Sequence, residues 1–322
     1  MNDEQRMLAD MSEELFASLG PTATLQQDWG AIEQVALDGL LLGADQGGFG
    51  GSWEDALIVF RLAGYHGLAL PVAEAAIASA LAGRSGERGT IARHTQGEVT
   101  CGRFTGTLSG ICFGAGAAFI LAPCPQGGSM LIEAAALPLE TEPSVAGEAR
   151  DRAVLEDAPV TLCEGDVFAM GALARVAQMA GALDATLARS VDYANERVQF
   201  GRALGKFQAV QQNLATFACE AAAANCAAMG AAQAMSRGVA TFEIAAAKLR
   251  ANRAVGVGTA IAHQVHGAIG FTEEYPLHPL TRRLWAWRSE FGNDAYWSAL
   301  LGPRIVERGP DHFWADLTAL TD

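Results

Sequence analysis

From the start of the chain to about Ala82, apolar residues return every third or fourth position. Leu37, Leu40 and Leu41 are followed by Leu57, Phe60 and Ala63, then by Ala73, Ala76 and Ala80, the repeat of an amphipathic helix. A glycine-rich break, GADQGGFGGSWED, interrupts them, and Ser52 with Asp55 three residues on marks a helix start. Between about Gly83 and Glu164 the texture changes. Short apolar runs (TCGRFTGTLSGICFG, AAFILAPC, SMLIEAAALPL, APVTLCEG) alternate with Gly, Pro and polar clusters, which predicts short strands. Beyond Val167 the helical stripes resume. Leu183, Leu187 and Val191 form one, and Val210, Leu214, Phe217 and Ala221 a second. Ile244, Ala251, Val255, Gly258, Ala262 and Val265 form a third, and Leu284, Trp287, Tyr296 and Leu300 a fourth. Ala and Gly on these stripes permit close helix approach. The pattern predicts a mainly α protein with a small β domain: an N-terminal helical domain over 1–84, a middle β domain over 85–165 and a C-terminal four-helix bundle over 166–322.

Composition narrows the function. The 322 residues are 50% hydrophobic and 18% charged, which excludes disorder. With 36 acidic residues against 22 basic ones the formal charge is −14, so a phosphate backbone should be repelled and nucleic acid is not an expected partner. Lys206 and Lys248 are the two lysines, leaving the positive charge almost wholly to arginine. The six cysteines form no CxxC pair and no Cys/His cluster at metal spacing; they read as buried small hydrophobes of a reduced cytoplasm, and no metal is expected. The polar, acidic MNDEQRMLAD resembles neither a signal nor a transit peptide. The longest charge-free stretch, Phe104 to Ile132, is broken by Pro and Gly and cannot be one spanning helix; no membrane partner is expected. Gly48/Gly50 and Gly114/Gly116 do not complete a G-x-G-x-x-G, and no βαβ alternation surrounds them.

Two segments concentrate charged, glycine and amide groups between apolar helices: NERVQFGRALGKFQAVQ at 195–211 and HQVHGAIGFTEEYPLHPLTRR at 263–283. Each sets an Arg or Gln beside a glycine-containing helix end, where unpaired N–H groups and the helix dipole can hold an anion. Arg197 can fork onto a phosphate, Gln264 can donate and accept at a nucleotide edge, and Gly267 and Gly270 admit a ligand to the backbone. On the residues alone, ordinary helix–loop–helix corners carry the same features, and that is the first reading.

The runs RVQFGRALGKFQ and QVHGAIGFTEEYPLHPLTRR resemble the C-terminal signatures of the flavin-dependent acyl-CoA dehydrogenases, and the order of helical, β and helical regions is similar to that family's over nearly the whole chain. The resemblance implies that Arg197, Gln199 and Phe200, with Gln208 close behind, hold the pyrophosphate and adenosine of FAD. Gln264, Val265, His266, Gly267 and Ala268 would do likewise, across a dimer interface from a flavin seated mainly on the neighbouring subunit. It also implies an acyl-CoA substrate, desaturated by a carboxylate base and hydride transfer, and an electron-transfer flavoprotein as the usual acceptor.

The parts for that chemistry are incomplete. The family's usual base is a Glu before Gly-Thr/Ser, twenty residues after the Gly-Phe of the second motif; counting from Phe271, that position is Phe291, followed by Gly292 and Asn293. Glu290 is one residue early, about 100° away on a helix; it is the candidate catalytic base, weighed against a solvated or salt-bridged residue beside Arg288. Some members place the base at the start of the first bundle helix, here near Gly171, where no carboxylate stands. The middle domain looks shortened, ARHTQGEVTCGRF lacks the family's T-E-P-x-A-G-S-D-like stretch, and the W-I-T/S strand corresponds to Cys112–Ala115. His66, His94 and His312 are isolated; His263 and His266 lack a metal-ligating companion. Trp285, Trp287 and Trp297 read first as core.

Three readings follow. The leading one is the degenerate subunit of an α2β2 acyl-CoA dehydrogenase that lends a flavin's adenosine-diphosphate clamp to a complete partner, an arrangement associated with bulky, steroid-like thioesters. The second is a self-sufficient homotetramer with Glu290 as base. The third is a non-enzymatic protein that binds a CoA ester or serves assembly.

Overall fold

The computed structural model describes residues 1–135, 137–238, 240–312 and 314–315. Helices α1 (Asp3–Leu19), α2 (Leu25–Gln34), α3 (Trp53–Tyr65) and α4 (Val72–Ala82) come first. The start of α3 follows from the Ser52/Asp55 pair: the Ser52 hydroxyl accepts the Asp55 N–H at 3.2 Å while the Asp55 carboxylate accepts the Ser52 N–H at 2.8 Å. This capping box satisfies two donors that the helix itself leaves open.

Eight strands follow: β1 (Gly89–Ile91), β2 (His94–Thr100), β3 (Arg103–Cys112), β4 (Phe119–Pro123), β5 (Ser129–Glu133), β6 (Leu139–Glu142), β7 (Arg150–Pro159) and β8 (Thr161–Cys163). They form two four-stranded sheets, ordered β1-β4-β5-β8 and β2-β3-β7-β6, antiparallel except for the β1–β4 pair. Strand alternation decides what each face buries. On β4, Ile120 and Ala122 pack with Phe104, Leu108 and Met130 between the sheets, whereas Phe119 and Leu121 turn toward the helices. A strand covered on both faces needs the unbroken apolar run FILA.

The second helical region holds α5 (Val167–Glu196), a hairpin of β9 (Val198–Gln199) and β10 (Arg202–Ala203), then α6 (Gln208–Ser236), α7 (Thr241–His266), α8 (His278–Ser289) and α9 (Asp294–Arg308). The fourth apolar stripe is therefore carried by two helices. Phe291 and Gly292 adopt left-handed φ of 50° and 93°, which no helix tolerates, and the Asn293 side chain caps α9 by accepting the Tyr296 N–H at 3.0 Å. The N- and C-terminal helices also share one core, in which Phe16, Phe60 and Ala76 meet Leu183, Phe217 and Trp287. Three textures in sequence thus make two cores in space.

α5 is the axis of that shared core, and it crosses α3 at backbone distance. A Cβ on Gly181 would lie 1.8 Å from the Arg61 carbonyl oxygen, and one on Gly64 would lie 2.0 Å from that of Gln178. Backbone cannot move aside as a side chain can, so Gly181→Ala should destabilise the protein by about 1–3 kcal/mol. A chemical-denaturation midpoint equal to the parent's would show that the crossing is looser than this.

Two expectations need correction. Of the six cysteines, all unpaired, Cys112 and Cys124 are buried, but Cys101, Cys219 and Cys226 are exposed; alanine-rich surroundings hid the fact that α6 turns one face outward. Trp287 and Trp297 are core, while Trp285 is 43% exposed. By length and composition α6 is apolar enough to cross a membrane, yet it packs along α5 and α7 within the bundle.

Candidate functional site

The first motif lies where α5 ends. Arg197 is its C-cap residue, with extended backbone, and its N–H still donates to the Tyr193 carbonyl. Val198 and Gln199 then pair with Arg202 and Ala203, and Phe200 and Gly201 make the tight turn, both at positive φ. The second motif lies where α7 ends: Gly267, at φ 64°, stops the helix and leads into a 3-10 turn through Phe271. Both helix ends open onto one cavity of about 600 Å³, lined by Arg197, Gln199, Gln264, Val265, His266, Gly267 and Ala268, together with Tyr193, Leu204, Ala209, Val210, Asn213 and Ile269.

Seven of the nine residues singled out for FAD from sequence therefore meet at this cavity. Phe200 and Gln208 are not on its wall; Phe200 stands out from the hairpin tip, 90% exposed, and Gln208 is the exposed first residue of α6. Tyr193 and Asn213 were missed. Tyr193 was legible in principle, four residues before Arg197 and so on the same helix face; Asn213 reaches the cavity only because α6 and α7 lie side by side.

The wall suits an anionic nucleotide. It carries one guanidinium, three carboxamides and no carboxylate, in a chain of charge −14. No side chain caps the start of α6, whose first turn supplies Ala209 and Val210 to the wall, so the positive end of that helix dipole lies at this end of the cavity. Among the described residues, chain neighbours aside, nothing lies within 4 Å of where a Gly267 side chain would begin. His266 is buried and stacked on Tyr193 at 4.6 Å. Burial pushes its imidazole below the usual range, more than the Ala262 carbonyl raises it, so the ring is neutral at physiological pH. Its Nδ1 donates to that carbonyl at 2.8 Å, and the backbone of Arg189 also lies against the ring. His263 stacks on Phe271. No metal-binding group of His, Cys, Asp and Glu occurs among the described residues.

The other half of the expected chemistry is filled in. Phe291, at the family's usual base position, is fully buried, and its ring lies over Gly171, the alternative base position: a Cβ there would sit 2.5 Å from a ring carbon. A phenyl ring thus packs on bare backbone between the two positions at which the resemblance placed a carboxylate, and neither position carries one. Trp297 Nε1 donates to the Phe291 carbonyl at 3.1 Å, and Phe168 packs edge-on against the ring. A neighbouring cleft of about 540 Å³ is lined by Arg93, His94, Phe168, Asn293 and Tyr296 among others, and its one carboxylate, Asp166, is bound to the Phe168 and Ala169 N–H groups as the cap of α5.

Glu290 is neither solvated nor paired with Arg288, which instead binds Asp294 at 2.6 Å. The break after α8 turns its side chain inward. Its carboxylate accepts from Arg175 Nε at 2.6 Å and Arg150 Nε at 2.8 Å. Arg175 also reaches Glu74 at 2.5 Å; Arg150 reaches Glu148 at 2.8 Å, and Glu148 binds Arg283 at 2.7 Å. Three carboxylates and three guanidiniums alternate in a ladder from Glu74 on α4 to Arg283 on α8, each of these side chains 2–6% exposed, and Arg93 adds a fourth guanidinium 3.9 Å from Glu290. Burial alone would raise the Glu290 carboxyl, but Arg150 and Arg175, with Arg93 beyond them, hold it well below the usual carboxylate range. A carboxylate so strongly stabilised as an anion, with both oxygens occupied, is a poor proton acceptor.

Lys248 closes the same turn. Its fully buried ammonium donates to the carbonyls of Trp287, Arg288 and Gly292 and to Asn252 Oδ1, each at 3.0–3.2 Å. Burial lowers its pKa to about 7 despite Glu290 nearby. The unfolded chain keeps this proton to a much higher pH, so the fold gains stability as pH rises above about 7. Relative to a Lys248→Met variant, the unfolding free energy of the parent should climb between pH 7 and 9 by up to about 1.4 kcal/mol per pH unit. Parallel pH profiles for the two proteins would exclude such a depressed pKa.

Helical layers around two sheets, a cavity between two helix ends and a break after α8 fit an acyl-CoA dehydrogenase-type architecture, and comparison with known proteins agrees. Residues 164–304 match the family described as Acyl-CoA dehydrogenase, C-terminal domain. The acyl-CoA dehydrogenase FadE34 of Mycobacterium tuberculosis is 33% identical over 287 residues, covering 82% of this chain and 40% of the relative. An acyl-CoA dehydrogenase of Bacillus subtilis is 34% identical over 140 residues, 41% of this chain and 37% of the relative. The chain therefore spans well under half the length of these relatives. Among solved structures, a chain of the ChsE4–ChsE5 complex of M. tuberculosis superposes with a TM-score of 0.84 at 19% identity, covering 96% of this chain and 99% of that one. A chain of the Tcur3481–Tcur3483 steroid ACAD gives 0.86 at 21% identity, covering 95% and 98%. The chain belongs to the acyl-CoA dehydrogenase family, a family of FAD-dependent oxidoreductases.

Proposed function

We propose that this chain is the base-free subunit of a two-component acyl-CoA dehydrogenase. In this reading it grips the adenosine-diphosphate part of a flavin whose ring, substrate and catalytic carboxylate lie on a companion subunit. The observation that carries the reading is Phe291 packed on Gly171, beside an acid-free nucleotide cavity on the same chain. One half-site is built and the other is filled.

FAD supplies hydride acceptance in this family. This chain's own residues bind and orient. Arg197 offers a forked donor to the diphosphate, Gln199 and Gln264 offer amides, and the start of α6 contributes the positive end of a helix dipole. The exposed Phe200 at the hairpin tip reaches toward the companion. The outward face of α6 fits a subunit contact: Ala215, Ala218, Ala222 and Gly230 are exposed there, small enough for another helix to approach. The solved relatives that share this fold include chains of a ChsE4–ChsE5 complex and of a steroid ACAD, which supports a partner from the same family and a bulky, steroid-like acyl-CoA substrate. An electron-transfer flavoprotein is the proposed acceptor, and six unpaired cysteines fit a reducing cytoplasm.

Two other readings are disfavoured. A homotetramer using Glu290 would have to break the buried ladder to free its base. A non-enzymatic protein that served assembly alone would have no use for an acid-free cavity, and one that bound a CoA ester would hold that ester without retaining a flavin. Counting FAD decides among them: half a flavin per chain after co-expression with an adjacent acyl-CoA dehydrogenase gene supports the mixed assembly. One flavin per chain from this chain alone would sink it, and a stable flavin-free homo-oligomer that recovers no partner would favour the structural role.

A further inference from the structure

The two walls of the nucleotide cavity come from different helices, and one side chain joins them. Asn213, half-buried in the second turn of α6, donates its Nδ2 to Gln264 Oε1 at 3.5 Å across 51 residues of sequence. Both residues line the cavity. A carboxamide has one oxygen and one NH2 group on opposite sides of its carbon. Engaging the oxygen of Gln264 with Asn213 therefore turns the Gln264 NH2 away from Asn213.

We infer that Asn213 is a positioning residue: by holding the Gln264 oxygen it presents the Gln264 N–H donors to the phosphate oxygens of the bound nucleotide. This rests on the nucleotide-clamp reading above and adds a residue that neither motif contains. The physical reason is polarity. A freely rotating Gln264 would offer its oxygen to the diphosphate about as readily as its donors, and an oxygen facing an anion is repelled. Asn213 is itself placed by α6, whose entry is fixed when Gln211 Nε2 donates to the Gly205 carbonyl at 2.9 Å, and Arg197 with the uncapped α6 start adds no competing acceptor.

The test uses the whole chain with ADP as the probe, its dissociation constant measured calorimetrically and thermal midpoints measured in parallel. Asn213→Asp keeps the shape but can only accept, so it draws the Gln264 NH2 to itself and turns the oxygen toward the phosphates. ADP binding should weaken about tenfold, the scale of one hydrogen bond to a charged group. Asn213→Leu should weaken it less, because Gln264 is released rather than reversed. In a Gln264→Ala background Asn213→Leu should change ADP affinity no further, a result that general damage to α6 would not give, and Asn213→Asp should lose only what the repulsion of its added carboxylate costs, less than it loses in the parent. The aspartate variant binding ADP as the parent does, while Gln264→Ala binds more weakly, overturns the inference and leaves the clamp reading standing. A parent protein that binds no ADP overturns both.

Discussion

Glu290→Gln is expected to lower the stability of this protein by about 3–5 kcal/mol, read from the urea midpoint, because the change removes the counter-ion that two buried guanidiniums share, leaving each with a single carboxylate. Glutamine has the size of glutamate but no charge. Arg150 and Arg175, which meet the carboxylate at 2.8 and 2.6 Å, would remain desolvated with one fewer counter-ion between them. The pH dependence has a defined sign. The folded carboxyl lies below its ordinary value, so its contribution is full above the unfolded pKa of about 4.3 and is lost as pH falls toward the folded one. The gap between parent and variant should be flat from neutrality to about pH 5 and close below it. A loss under about 1 kcal/mol, with flavin bleaching by acyl-CoA abolished, would instead identify Glu290 as a free catalytic base.

Arg197→Ala should weaken FAD retention by the assembled enzyme about 10- to 100-fold while leaving the thermal midpoint of the apoprotein unchanged. The side chain is exposed at the end of α5, so removing it takes away little packing. What it removes is the one guanidinium on a wall that otherwise offers amides, hydrocarbon, the Tyr193 phenol and a neutral imidazole. A charge-assisted fork to a phosphate contributes about 1.5–3 kcal/mol. Arg197→Lys should recover part of the affinity, since a point charge attracts the diphosphate without matching its geometry. Unchanged FAD content in the alanine variant would place the diphosphate elsewhere.

Glu290, bound to Arg175 near the start of α5, and Arg197, at the end of that helix, belong to separate places in the fold, and sequence illuminated them unequally. Arg197, Gln199, Gln264 and Gly267 were legible because a helix end and its glycine are written in consecutive residues, and a local motif keeps its meaning wherever the helix is carried. The same holds for Ser52 with Asp55, whose capping box is complete within four residues. Phe200 and Gln208 belong to the same motif but lie off the cavity, since a tight turn and a helix start aim neighbouring side chains apart. Asn213 belongs to no motif, and only the α6–α7 packing brings it to Gln264.

Glu290 shows the opposite limit. Its neighbours in sequence, Arg288 and Phe291, say nothing of its partners: Arg150 comes from β7, Arg175 from α5, and Glu74, two links away, from α4. Nor does the alternation of residues around Leu284 and Tyr296 announce that the stripe is cut by two left-handed residues.

By itself, the order of apolar residues determined the helical–β–helical plan, and the two motifs determined which helix ends could hold a nucleotide, because both depend on interactions within one turn or one strand. Only the tertiary structure decided that Phe291 covers Gly171 and that Glu290 is consumed in a ladder. Those facts arise from groups more than a hundred residues apart, excluded together from water, where a charge must find a partner and a ring must find a space.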